Sequence, residues 1–166
     1  MAFGYCGIGL ALLLAGFGLA SPANARELTD IATNLKLGTA PLDVKLTPEP
    51  DLASALNAGK PLPMVLAIEG IEGAAAQPVR INVFVDKPDA DNLTPTTDPR
   101  CAGFIQLLPV RGEVRRTGIA FEMPMIGYSD FGQTISITLV PVVGTDNRAP
   151  RDVALRVARL YVRELD

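Results

Sequence analysis

An acidic segment that follows a strand-like stretch has the clearest potential for metal chemistry. Its carboxylates are Asp86, Asp89, Asp91 and Asp98. Carboxylate oxygens are the hard ligands that Ca²⁺ prefers, but a dedicated calcium loop has ligands at alternating positions, a glycine at its sharp turn and a distal glutamate. Here Pro88 interrupts the run and Lys87 lies within it. The segment therefore fits a polar turn better, in which Asp, Asn and Pro fix the backbone, and no metal ligand is assigned to it.

A second set of residues offers sulfur. Met123 and Met125 flank a proline, and Met64 and Cys101 could join them as soft ligands for Cu(I). Methionine also fills irregular gaps in protein cores, and a lone cysteine is more often a small buried hydrophobe than a reactive thiol. An exported Cu(I)-handling protein that uses these side chains is therefore kept as the alternative hypothesis.

Arginines form a third set, which is concentrated in the second half of the chain. Its members are Arg111, Arg115, Arg116, Arg148, Arg151, Arg156, Arg159 and Arg163. If these side chains converge, they could bind an acidic partner or free carboxylates. The simpler interpretation places them on the outward faces of turns and of an edge strand, where charge prevents pairing with another sheet.

Histidine is absent from the 166 residues. Imidazole is the commonest general base near neutral pH and the commonest transition-metal ligand, so its absence excludes a Ser-His-Asp triad, a Cys-His dyad and a His-based zinc or copper site. The sequence also has no nucleophile elbow, phosphate loop or dinucleotide fingerprint. The net charge of −3 offers no basic face for nucleic acid. We therefore predict a protein that is not an enzyme and uses no cofactor.

The first 25 residues carry no charged side chain and are mostly apolar. They end in Ala23-Asn24-Ala25, the small-x-small pattern of a signal peptidase site. This pattern predicts a signal peptide over 1–25 and export to the periplasm or the medium. The apolar run is also near the length that spans a bilayer, so an uncleaved N-terminal anchor is the alternative.

The elements that must position these residues are short. Runs rich in Val, Ile, Leu and Thr alternate with Pro and Gly, a spacing typical of all-β folds, so we predict one antiparallel β-sandwich of about seven strands with Greek-key-like connections over 26–166. The expected strands are 41–47, 64–69, 80–86, 102–108, 118–123, 133–140 and a terminal strand. A short helix is expected near 51–58, a turn at 112–118, and a loop at 87–100 that is too polar to pack.

The direction of the side chains is specific in two segments. Between positions 80 and 86, one face carries Ile81, Val83 and Val85. The terminal segment has inward apolar residues at 153, 155 and 157 and then at 160 and 162, so its phase slips at Ala158, as at a β-bulge. The same residues also fit an amphipathic helix, but we favour a bulged strand.

Four blocks of strand residues follow one another in a specific order. They are VLAIEGIE at 65–72, RINVFV at 80–85, Ala102-Gly103 with Pro109 beyond it, and ITLVP at 137–141 with Gly144. Their order and spacing resemble those of the C-terminal domain of polyphenol oxidases, which follows the tyrosinase-type copper domain in the plant enzymes. That domain carries a Lys-Phe-Asp-Val signature, whose place is taken here by Arg80, Ile81, Asn82 and Val83, with the aromatic Phe84 next.

The sequence departs from this family at specific positions. Only Val83 is identical within the signature, Leu107 replaces a polar residue, and Val110 stands where the family has a histidine. The copper ligands of the family are histidines of the catalytic domain, which this chain does not supply. The resemblance therefore implies a β-sandwich with an accessory role and does not imply oxidase activity.

In the family, this domain packs over the copper domain and shields its active site. The resemblance thus implies a free-standing exported copy that binds a separately encoded tyrosinase-type oxidase. We expect the contact to use the sheet faces and the loops 87–100 and 111–118. Neither a nucleic-acid partner nor a membrane partner beyond the N-terminal anchor is expected.

Overall fold

The computed structural model describes residues 26–58, 63–125 and 134–165, and the predicted leader lies outside these residues. The described chain forms eight strands and one short helix. Their bounds are β1 Ala32–Leu37, β2 Leu42–Leu46, α1 Pro50–Asn57, β3 Met64–Ala75, β4 Val79–Val85, β5 Cys101–Leu107, β6 Glu113–Pro124, β7 Ile135–Val142 and β8 Val153–Glu164. Among these residues, no helix is long and apolar enough to cross a membrane.

The strands form two four-stranded sheets, in the orders β1–β8–β3–β6 (the first sheet) and β2–β7–β4–β5 (the second sheet). Every strand pair in them is antiparallel. Among the described strands, only β4 and β5 are neighbours both in the chain and in a sheet, so the other connections pass between sheets. The prediction of an antiparallel β-sandwich is confirmed.

The core lies between the two sheets and explains the apolar strand pattern. All eight residues of β7 are buried, and six of the seven residues of β4 are buried. Ile81, Val83 and Val85 point into the main core, as their alternation predicts. Phe84 points the other way and joins a second, smaller apolar cluster on the outer face of the second sheet. Central strands that are covered on both faces carry apolar residues at almost every position.

The 87–100 loop covers that outer face, so the prediction that it is too polar to pack is wrong. Ala90 is only 2% exposed and packs against Phe84, Val140 and Val142. The hydroxyl of Thr138, which is also buried, donates to the carbonyl of Lys87 at 2.9 Å. The loop is therefore held against the sheet by one small apolar residue and by a hydrogen bond from the Thr138 side chain to the loop backbone.

Two other predictions differ from the structure. Of the expected turn at 112–118, only Gly112 lies in a turn, and the residues from 113 onward belong to β6, Glu113–Pro124. β6 is an edge strand, and charged side chains on its solvent face give it the appearance of a turn in the sequence. Strand β1 was not predicted, because only Leu37 of its six residues is fully buried.

The terminal segment is a bulged strand, as favoured. Along β8 the buried residues switch phase around Ala158, from Val157 to Leu160. The neighbouring strand β3 changes phase at the same level, since its core residues pass from Ile68 to Ile71 while its pairing with β8 stays in register. The register between β3 and β6 shifts between Glu69 and Ile71. A single crease therefore crosses the first sheet.

Candidate interaction surface

Exposed apolar side chains lie along β5 and in the connection that leads from β5 to β6. Phe104 and Leu108 are each 58% exposed and Val110 is 73% exposed. The side chains of β5 alternate between the two faces of the sheet. Ile105 and Leu107 point into the core, and the residues between them point outward to solvent. Exposed groups of apolar side chains of this kind mark interaction sites. We call Phe104, Leu108 and Val110, with the arginines described next, the turn surface.

A tight turn fixes the geometry of this surface. The Val110 amide donates to the Glu113 carbonyl at 2.8 Å, and the Glu113 amide donates back at 3.1 Å. The two residues between them, Arg111 and Gly112, both have positive φ, at 54° and 81°. This combination is that of a two-residue type I′ turn. An isolated bridge between Val110 and Glu113 closes the turn, and the strands on either side of it, β5 and β6, belong to different sheets. The turn holds Val110 and Arg111 outward on a short, defined connection.

Cationic side chains surround the apolar ones. A concavity of about 630 Å³ is lined by Leu108, Val110, Arg111, Glu113, Arg115 and Arg116. Three guanidinium groups therefore face one carboxylate there. On the other side, the Arg80 guanidinium lies over the Phe104 ring, 5.7 Å from its centre. The structure thus brings together the first three arginines of the predicted set beside Leu108 and Val110, and it places Arg80 over Phe104.

The later arginines of that set lie elsewhere, and four of them are paired with carboxylates. Arg156 pairs with Glu72, Arg159 with Glu69 and Glu27, Arg163 with Glu122, and Arg148 with Asp146. Three of these four arginines lie on the outer face of β8. Each of these four already has a carboxylate partner, whereas no ion pair of Arg111, Arg115 or Arg116 occurs within the part of the chain that the structure describes.

Tyr161 belongs to this paired region. Its hydroxyl donates to Glu69 at 2.7 Å, and the Arg159 guanidinium lies 4.8 Å from the centre of its ring. Burial, and then the hydrogen bond to Glu69, raise the pKa of Tyr161 to about 12. The phenol is therefore neutral near pH 7 and acts as a hydrogen-bond donor that holds Glu69 in place.

The acidic loop uses its carboxylates for turns. Asp91 accepts hydrogen bonds from the backbone amides of Leu93 and Thr94, both at 2.9 Å. Hydrogen bonds, first from the Thr94 hydroxyl and then from the Leu93 amide, lower the pKa of Asp91. Lys87 lies between two other carboxylates, 3.5 Å from Asp98 and 3.8 Å from Asp89. The predicted Asx-turn interpretation of this loop is confirmed.

The sulfur atoms divide between two clusters. Met64, Met123 and Met125 are buried in the main core, while the half-buried Cys101 packs against the second cluster. Burial raises the pKa of the Cys101 thiol, which disfavours the thiolate that binds metals. Among the described residues, no group of three or more His, Cys, Asp or Glu side chains could hold a metal ion. The burial of the three methionines in the main core supports the packing role for them.

The arrangement of strands agrees with a family match in sequence. Residues 44–154, more than half of the chain, match the family described as the chloroplastic polyphenol oxidase C-terminal domain. The chain belongs to this family. No curated protein sequence matches the chain significantly.

Solved structures of polyphenol oxidases share the fold. Latent apple tyrosinase is 18% identical, with a TM-score of 0.50 over 78% of this chain and 26% of that chain. Latent aurone synthase, a polyphenol oxidase, from its natural source is 18% identical, with a TM-score of 0.52 over 86% of this chain and 29% of that chain. The chain therefore spans less than a third of the length of these oxidases.

The family signature lies on β4, in the middle of the second sheet. Asn82, which takes the place of the signature aspartate, is fully buried. Within the described residues, its side-chain nitrogen and oxygen have no hydrogen-bond partner, and neither does Nε of Arg80. The signature strand therefore fixes the centre of a sheet, and Asn82 is an unsatisfied polar group within it.

Proposed function

We propose that this chain is a non-catalytic accessory domain that binds a separately encoded tyrosinase-type copper oxidase through the turn surface. The observation that supports the proposal is that the exposed Leu108 and Val110 line one concavity with three arginines, while the exposed Phe104 lies under Arg80. Family membership supplies the class of partner, because the solved oxidases with this fold are longer chains of which this domain matches less than a third.

The chemistry of the turn surface fits a protein partner. Protein interfaces combine an apolar centre with a polar rim, and arginine is enriched among the residues that contribute most to binding. The whole chain has a net charge of −3, yet the turn surface is locally cationic. We therefore expect the partner to present an acidic rim around an apolar depression, and the association rate to fall as salt is added.

The 87–100 loop extends the proposed contact. Asn92 donates its side-chain amide to the Asn147 carbonyl at 3.1 Å, and Arg80 donates to the Asn147 side chain. These bonds connect the loop to the residue that covers Phe104. Leu93, at 78% exposure, projects from the same loop. These contacts support the inclusion of the 87–100 loop, beside Arg80 and Phe104, in the proposed interface.

The absence of histidine from the sequence supports a role without catalysis, since the chain has no imidazole to bind copper in the manner of the oxidase domain. Export through the leader is part of the proposal. N-terminal sequencing of the protein purified from its host is expected to begin at Arg26. A chain that retains its first residues would support the N-terminal anchor instead.

The test is binding to the oxidase itself. The chain from Arg26 onward is mixed with a tyrosinase-type copper oxidase from the same organism that lacks this domain, and the complex is measured by biolayer interferometry and by oxidase activity. A saturable complex and a change in activity are expected. If no complex forms and activity is unchanged, the proposal is wrong.

Two variants locate the contact. Leu108→Asp with Val110→Asp places charge in the apolar centre and is expected to weaken binding by about a hundredfold, the scale of a lost hot spot. Leu165→Asp is the matched control, because Leu165 is an exposed apolar residue, 43% accessible, outside the turn surface. If the unmodified chain and both variants bind equally well, the contact does not lie on the turn surface.

A further inference from the structure

A second concavity, of about 590 Å³, lies on the outer face of the first sheet. Its lining comes from four strands: Lys36, Leu37 and Gly38 near β1, Glu72, Gly73 and Ala74 on β3, Glu113, Val114 and Arg115 on β6, and Val153, Ala154, Leu155 and Arg156 on β8. This volume lies within the range of about 300–1,000 Å³ that is typical of small-molecule sites. No function described so far uses it.

One side of the concavity is a row of charges across the whole sheet. The register places Arg115 opposite Glu72, Glu72 opposite Arg156, and Arg156 opposite Lys36. At about 4.8 Å between neighbouring strands, the row is roughly 14 Å long. Glu72 is paired with Arg156. Within the described part of the chain, no hydrogen bond or ion pair engages the side chain of Lys36.

The next row forms an apolar floor. Glu113 lies opposite Ala74, and Ala74 lies opposite Ala154. Both alanines are exposed, although they lie on inner strands of the sheet. Their short side chains leave a trough beside the longer charged ones, with methyl groups at its base.

The charge of the trough is uneven. Lys36 has a second cation, Arg156, as its direct neighbour, whereas Arg115 lies between the carboxylates of Glu72 and Glu113. The positive potential is therefore greatest at the β1–β8 end, and the β6 end is balanced. Taken together, three cations and two anions line the trough. A ligand with one negative charge would complete the balance.

We propose that this trough binds an amphipathic organic monocarboxylate. Its carboxylate interacts with Lys36 and Arg156, and its apolar body lies over Ala154 and Ala74 toward β6. The length of the row limits the ligand to roughly 14 Å, about the span of the four strands. The site is on the opposite sheet from the family signature. It shares Glu113 and Arg115 with the turn surface, but Lys36 and Arg156 lie on β1 and β8, toward the other edge of the sheet.

The test is an NMR titration of the ¹⁵N-labelled chain from Arg26 onward with octanoate, with 1-octanol as the uncharged probe of the same length. Octanoate is expected to give saturable shifts of the amides at 36–38, 72–74 and 154–156. 1-Octanol is expected to bind several-fold more weakly, since it lacks the charge. Absence of saturation, equal affinity for both probes, or shifts centred on Phe104 and Leu108 would overturn the proposal.

Two substitutions test the charge and the shape of the trough separately. Lys36→Gln is expected to weaken octanoate binding by about threefold, the scale of one exposed ionic contact. Ala154→Leu fills the floor without changing charge and is expected to abolish saturable binding. Lys45→Gln, which removes an exposed lysine of the second sheet, is the matched control and leaves the affinity unchanged. If Lys36→Gln and Ala154→Leu both bind like the unmodified chain, the site is not this trough.

Discussion

Gly70 on β3 lies opposite Ala158 on β8, and a Cβ built on Gly70 would come within 2.7 Å of the Cβ of Ala158. Gly70 has a φ of +65°, and Asn34, which lies across Ala158 on β1, has a φ of +53°. Three adjacent strands therefore change phase at one level. The crease allows β3 and β8 to keep apolar residues facing the core on both sides of it.

Replacement of Gly70 by alanine is expected to destabilise the protein. The left-handed backbone costs an L-residue about 1–2 kcal/mol, and overlap with Ala158 adds about 1–3 kcal/mol. Urea unfolding of Gly70→Ala measures the change. Gly38→Ala is the control, because Gly38 has ordinary φ and a Cβ there would meet nothing closer than the Val153 carbonyl at 4.0 Å. Equal losses in the two variants would contradict the role assigned to Gly70.

The crease separates what a local sequence pattern can predict from what depends on pairing between distant strands. The phase slip at Ala158 was predictable because it changes which residues of a single strand are apolar. Its position opposite Gly70 was not predictable, because pairing between strands nearly ninety residues apart leaves no mark in either local pattern. The sheet orders of the sandwich were beyond local sequence reasoning for the same reason.

The turn surface was partly predictable. Arg111, Arg115 and Arg116 were recognised as a set that could bind an acidic partner, and the structure places them together. Phe104 and Leu108 were missed because an apolar residue on an edge strand has the same sequence signal as one in the core. The dipeptide Arg111-Gly112 was a weak signal, since type I′ turns are usually formed by Asn-Gly or Asp-Gly.

Asn82 is expected to reduce the stability of the fold. A buried amide without partners costs about 1–3 kcal/mol, and its replacement by a valine suited to a central strand removes that cost. Asn82→Val should therefore raise the midpoint of urea unfolding. Thr138→Val is the contrasting variant, because it removes a hydroxyl that is buried and bonded to Lys87 at 2.9 Å. A destabilised Asn82→Val protein would indicate that the amide has a buried water as its partner.

Tyr161 is expected to make stability depend on alkaline pH. Its folded pKa of about 12 lies above the ordinary value of 10, so the unfolded chain loses the proton first as pH rises. The contribution is complete below pH 10 and is lost progressively between pH 10 and 12, up to about 3 kcal/mol. The stability difference between the unmodified chain and Tyr161→Phe, from urea unfolding at pH 8 and pH 11, should shrink at the higher pH. A constant difference would show that the phenol has an ordinary pKa.

The type I′ turn allows stability and binding to be separated at one position. Arg111→Asn forms the Asn-Gly pair that this turn favours and relieves an arginine held at a φ of +54°. We expect the free energy of unfolding to rise by up to about 1 kcal/mol, because asparagine tolerates the left-handed region better than arginine does. The affinity for an acidic partner should fall because one cation of the rim is lost. Arg151→Asn is the control: Arg151 is exposed and lies outside the turn, so neither quantity should change. Urea unfolding and biolayer interferometry on the same samples give both values. A gain in stability with unchanged binding would remove Arg111 from the proposed contact and leave the geometry of the turn intact.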